Sequence, residues 1–154
     1  MNMEYGDLNL DTATIQERLD SIPDILERLD SAEKRLSSLE SAPVELLFEQ
    51  GTVDGTTGLP LSAQQAGANH TKRIRTAQYI ENFGGTILNA SGGTIMCMAH
   101  YYNQYGGESV AQESYTAGNL ALDSSYNYFK IICKKTNGGE ISPEEGGAII
   151  YRKQ

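Results

Sequence analysis

A chain of 154 residues, 39% of them hydrophobic, is long enough for one domain with an appendage. Its formal net charge of −8 makes nucleic acid and anionic membrane surfaces poor partners by bulk electrostatics. The N-terminal MNMEYGDLNL has no basic region leading into an apolar core, and no apolar run approaches the ~18 residues of a span, so neither an ordinary secretion signal nor a membrane-crossing helix is expected.

Composition divides the chain near residue 43. Residues 1–43 hold one glycine (Gly6) of the 16 and carry ten acidic against four basic side chains; the rest holds eight of the nine tyrosines and is close to neutral. Glycine punctuates turns and tyrosine suits strands, so the expected fold is an N-terminal α-helical coiled coil followed by an all-β antiparallel domain. We divide the chain into an attachment peptide (1–12), a stalk (13–43) and a β head (44–154).

Residues 1–12 are polar and aperiodic, which fits either a frayed terminus or a short peptide that plugs into a larger assembly. From there Ile15, Leu19, Ile22, Leu26 and Leu29 alternate steps of four and three, the spacing of a coiled-coil seam. Leucine at Leu19 and Leu26 with isoleucine at Ile15 and Ile22 leans away from dimers, and we expect a homotrimer. The other reading is a helix packed on its own β domain.

Pro23 in a continuous helix costs about 3 kcal/mol, whereas in a first turn it costs little. The spacing therefore predicts a break near residues 21–23, with the longer helix running from about Ile22 to Ser41. Beyond the proline the seam is best matched by Ile25, Leu29, Ala32, Leu36 and Leu39, a phase shift equivalent to inserting three residues. The predicted oligomerisation residues are thus Ile15, Leu19, Ile22, Ile25, Leu26, Leu29, Leu36 and Leu39.

Pro43 ends the helix, and VELLFEQ (44–50) reads as a first strand. The segment GTVDGTTGLPLSAQQAGANH reads as a surface loop, and TKRIRTAQYI as a strand with Ile74 on one face and Arg73 and Arg75 on the other. Five Gly-Gly pairs then separate strand-length segments with no helices expected among them. TIMCMAHYY is apolar on both faces and predicts a covered central strand. YFKIICKK alternates, with Phe129, Ile131 and Cys133 inward and Lys130 and Lys134 outward. Many short strands with regular turns indicate a sandwich or barrel.

Chemistry-bearing patterns are sparse. His70 and His100 have no partners at metal-ligand spacing, and no phosphate loop, nucleophile elbow or dinucleotide fingerprint occurs, so no cofactor, metal or enzymatic activity is expected. Glu108 and Glu113 resemble a glycosidase pair only as far as any chain with 20 carboxylates offers one. Asn69-His70-Thr71 and Asn89-Ala90-Ser91 are glycosylation sequons, relevant only in a secretory pathway. Cys97 and Cys133 fall in apolar strands, as buried hydrophobes or as a cross-strand disulfide that a cytoplasm would keep reduced. The candidate ligand-binding residues are His100, Tyr101, Tyr102 and Tyr105, whose rings could stack on a sugar or fill an interface, and Arg73 and Arg75, suited to a hydroxyl pair or carboxylate.

Phe48–Gly51, Arg73–Thr76, Tyr101–Asn103, Tyr128–Lys134 and Ile141–Glu144 together resemble a module common in tail, baseplate and fibre proteins of bacteriophages, over about residues 46–147. Asn103 departs from the acidic residue usual in that pattern. The resemblance implies a jelly-roll-like, carbohydrate-binding-type sandwich on a virion, made in the host cytoplasm. The seam already calls for two further copies of the chain and the N-terminal peptide for a larger assembly; with the resemblance, the expected partners are those copies, a virion protein held through the N-terminus and a host-surface glycan at the head. A virion decoration protein, such as a head fibre with no obligatory ligand, is the alternative.

Overall fold

The computed structural model describes residues 12–40 and 42–154. The chain divides after Glu40 into two compact units. The expected attachment peptide falls almost wholly outside the described residues.

The described residues of the first unit form one helix, α1 (Thr12–Glu40), 29 residues and about 44 Å long. It contains no glycine, and i,i+4 contacts such as Lys34 Nζ to Asp30 Oδ2 (2.8 Å) and Gln16 Nε2 to Asp20 Oδ1 (2.8 Å) brace its surface. The expected break at 21–23 is absent: the helix passes through Pro23 without interruption. Proline there removes a single backbone bond, the one that would reach the Leu19 carbonyl, and the turns on either side retain theirs. Continuity of the helix leaves the phase shift in place, because the unshifted seam would continue through Glu33 and Glu40. On a straight helix Ile15, Leu19, Ile22, Leu26 and Leu29 form one oblique stripe, and Ile25, Ala32 and Leu39 lie on its flank beside Leu29 and Leu36. None of the helix residues is buried, and the eight predicted seam residues are 37–73% exposed.

The second unit is built of antiparallel strands. β1 (Val44–Glu45), β2 (Phe48–Gln50), β3 (Ile74–Thr76), β4 (Ile80–Glu81), β5 (Thr86–Asn89), β6 (Ile95–Tyr102), β7 (Ala111–Gln112), β8 (Leu120–Ala121), β9 (Tyr128–Lys135) and β10 (Ile149–Arg152) follow in order. One sheet has the order β1-β10-β5-β8; the other runs β2-β3-β9-β6-β7, with β4 also on β9. The two sheets share a single core, to which Ile87, Leu120, Ile149 and Tyr151 come from the first, and Ile74, Cys97, Ala99, Tyr101, Phe129, Ile131 and Cys133 from the second. β6 and β9, eight residues each and paired over their full length, form its spine.

Two features differ from the expectation. The segment after β2 contains a short helix, α2 (Ala63–Ala66), started by a capping box between Ser62 and Gln65 and extended by a 3-10 turn (Gly67–Asn69). A further 3-10 helix spans Pro143–Ala148. Secondly, β9 does not alternate: Phe129 through Cys133 are all buried, and Lys130 is only 1% exposed. Period-two patterning correctly aims Lys130 away from the core, but on that outer face the Thr76 and Ala77 carbonyls and the Tyr79 ring enclose its amine, and residues 51–61 fold over the neighbouring Tyr102 and Arg75.

Candidate functional site

Strand register assembles the outer face of the larger sheet. His100 lies opposite Lys130, Tyr102 opposite Tyr128, and Glu49 opposite Arg75. Over this face the 51–61 segment closes on itself through a bridge between Val53 and Pro60. Asp54 nucleates the turn: its carboxylate accepts from Thr57 N (2.7 Å), Thr56 N (2.9 Å) and Thr57 Oγ1 (3.0 Å). Those backbone bonds, Thr57's first, hold its pKa below the ordinary value.

The polar groups of the sheet fasten this cover. Tyr102 Oη donates to Gly58 O at 2.6 Å, and Arg75 Nη1 donates to Thr52 O and to Leu61 O (3.0 Å) while its Nε meets Glu49 at 2.7 Å. Ser109 N donates to Thr57 O at 2.7 Å, and Ser109 Oγ lies 3.1 Å from His100 Nδ1. Gly58 has φ of +65°, and a Cβ there would stand 2.4 Å from Ser109 Cβ, so the closest approach of cover to sheet admits only glycine. On the same face Lys130 Nζ donates to Thr76 O (2.7 Å) and lies 4.7 Å from the Tyr79 ring centre. Burial lowers the Lys130 pKa to about 8, with the Arg75 charge adding and Glu49 opposing. Burial likewise lowers that of His100 and raises that of Tyr102.

The six candidate ligand residues are therefore divided. His100, Tyr101 and Tyr102 are at most 2% exposed, and Arg75 is engaged by the cover. Tyr101 faces the core, stacks on Tyr126 (4.9 Å) and accepts from Asp123 N (3.0 Å); burial raises its pKa to about 12. Arg73 is half-buried, 3.4 Å from Thr52 Oγ1 and 6.0 Å from the Tyr115 ring, which Lys134 also approaches at 4.2 Å. Tyr105 alone is open to solvent, 62% exposed.

Tyr105 lines a cleft of about 530 Å³ together with Glu81, Asn82, Asn103, Gln104, Asn127 and Tyr128. Three segments meet there: the end of β4, the turn after β6 and the turn before β9. They are tied by Asn82 N to Asn127 O (2.9 Å), Asn82 Nδ2 to Asp123 O (2.7 Å) and Asn127 Nδ2 to Asn103 O (2.9 Å). Two buried tyrosines support the walls from below. Tyr101 holds the backbone of Asp123, and Tyr151 Oη accepts from Phe83 N (3.1 Å) and donates to Gly84 O (2.8 Å). On the outer side Tyr105 meets Tyr79 (5.1 Å) and Tyr128 (5.8 Å, edge-on), and Tyr79 meets Tyr102 (4.8 Å), so the exposed ring is continuous with buried ones.

Of the four carboxamides, Asn82 is bonded on both sides, to Asp123 O and Gly84 N, and Asn127 Nδ2 is given to Asn103 O; the Asn103 and Gln104 amides, the Asn127 oxygen, two phenols and the single charge of Glu81 line the rest of the cleft. Such a lining matches hydroxyl-rich neutral ligands better than anions or metal ions, and among the described residues no group of three or more His, Cys, Asp or Glu could hold a metal. Sequence reasoning found Tyr105 and noted Asn103, but missed Glu81, Asn82, Gln104, Asn127 and Tyr128. The available signal was the recurrence of amides beside tyrosine, at Tyr101-Tyr102-Asn103-Gln104-Tyr105 and Tyr126-Asn127-Tyr128. No known protein family, curated protein or solved structure matches the chain.

Proposed function

We propose that the protein is a virion fibre or baseplate component whose β head, a jelly-roll-like sandwich, binds a neutral host-surface glycan in the cleft around Tyr105. The single observation that carries the binding reading is that cleft: about 530 Å³, lined by Asn82, Asn103, Gln104 and Asn127 with Tyr105 and Tyr128 on its wall. A sugar hydroxyl both donates and accepts, as a carboxamide does, and the apolar face of a pyranose packs on an aromatic ring.

The stalk supplies valency. An apolar stripe 37–73% exposed along about 44 Å of helix is unfavourable in water, and two further copies of the same stripe cover it with matched spacing. Three heads on one stalk, and many stalks on a particle, convert weak single-site contacts into durable attachment. The N-terminal segment anchors the stalk to the virion in this reading, and the resemblance to tail and fibre modules supports the setting.

A glycan array probed with the full-length chain tests the proposal. Retention on a subset of neutral glycans is expected, with Tyr105→Ala weakening each head about tenfold, as the loss of one stacked ring implies. If neither any glycan nor any intact host cell wall retains the chain, the protein is a decoration component without an obligatory ligand.

A further inference from the structure

Cys97 and Cys133 occupy directly opposed positions on β6 and β9, at the centre of the core, and both are fully buried. The backbone of Cys97 is turned away from β9: its N–H donates to Thr116 O (2.8 Å) and its carbonyl accepts from Thr116 N (2.9 Å). The pair is therefore a non-hydrogen-bonded antiparallel pair, the kind in which Cα atoms approach to about 4.5 Å and side chains lie closest. That separation falls within the range a disulfide spans. The two sulfurs already lie 3.1 Å apart, both on the core side, so bond formation requires closure of about 1 Å with no change of strand register.

We propose that Cys97 and Cys133 form an intramolecular cross-strand disulfide when the protein meets an oxidising medium, locking the two spine strands of the head together. Chemically, one cysteine thiolate attacks a small-molecule disulfide such as oxidised glutathione, expelling one thiolate and leaving a mixed disulfide. The second cysteine thiolate then attacks the protein-bound sulfur and expels the other. Two cysteine S–H bonds are lost, one S–S bond forms, and the oxidant leaves as two thiols. Burial pushes the Cys133 thiol up, and neither sulfur is open to solvent, so the exchange takes place while the sheets open or before they close. A head that works outside a cell has a use for such a link, because it closes a loop of 36 residues' separation in the unfolded chain.

The test is refolding of the full-length chain from denaturant in a buffer of reduced and oxidised glutathione, then alkylation under denaturing conditions and intact mass measurement. Expected is loss of both alkylatable thiols, one linked Cys97–Cys133 peptide after proteolysis, and an upward shift of the guanidinium midpoint that dithiothreitol reverses. Cys97→Ala and Cys133→Ala should each keep one free thiol and show no redox-dependent shift. Full alkylation of both cysteines after oxidative refolding, or linkage between chains in place of within one, overturns the proposal.

Discussion

Lys130 shows what a single residue contributes when its side chain is aimed at solvent and then covered. Its amine is held by the Thr76 carbonyl and faces Tyr79, with Arg75, Glu49, His100 and Tyr102 as the other polar neighbours on that face. Its pKa of about 8 lies below the ordinary 10.5. Below pH 8 both folded and unfolded chains carry the proton and the burial penalty is constant. Between pH 8 and 10.5 only the unfolded chain still binds it, so stability rises with pH across that window. The unfolding free energy of the wild type relative to Lys130→Met should therefore gain about 1.4 kcal/mol per pH unit there, and change little below pH 7. Denaturant titrations of the two proteins from pH 6 to 10.5 measure it; a flat difference contradicts the assigned burial.

Gly58 and Tyr102 form the other residue-scale joint. Tyr102→Phe removes one hydrogen bond and leaves the Gly58 carbonyl under the cover, a loss of about 1 kcal/mol. Gly58→Ala should lose more, because alanine resists a φ of +65° and its methyl would enter Ser109. Equal effects in guanidinium melts would mean that the cover is not seated as described.

At the scale of elements, legibility followed the kind of information each pattern carries. The β6 strand and the helix were legible because continuous apolarity and three–four spacing report directly on what must be buried. The cover over the larger sheet was not: alternation tells which face His100, Tyr102 and Lys130 point to, but not that a segment thirty or more residues away returns to bury it. Glycine and polarity marked residues 51–61 as a loop, correctly, while the carbonyls that make it a lid on Tyr102 and Arg75 leave no mark in sequence. The cleft amides were masked differently, since Asn at turns has an ordinary backbone-bonding role that hides any second one.

Pro23 is the element-scale misreading with the clearest consequence. Propensity argued for a helix starting at the proline, yet a long helix tolerates one missing bond when the apolar stripe continues on both sides. Pro23→Ala should then restore that bond and stabilise the stalk by about 3 kcal/mol per chain. Circular dichroism melts read this directly. A change below about 1 kcal/mol would place Pro23 in a first turn, where a break puts it.

For the molecule as a whole, the two compact units differ in what they expose: an apolar stripe on one, a polar cleft on the other. Sedimentation equilibrium of the full-length chain should give three times the 16.8 kDa chain mass. Leu26→Glu with Leu29→Glu should return it to one, since six carboxylates cannot share a seam. Neither half suffices alone in this account, because the sugar contacts of one head are weak and the stalk binds nothing on the host.

The most direct measurement is the dissociation rate from beads carrying an array-selected glycan, comparing the full-length chain with the Leu26→Glu, Leu29→Glu variant. The account predicts release about 10² to 10⁴ times faster from the variant, with Tyr105→Ala weakening each head about tenfold and so speeding release of both. Equal release rates, or capture that survives Tyr105→Ala unchanged, would contradict it.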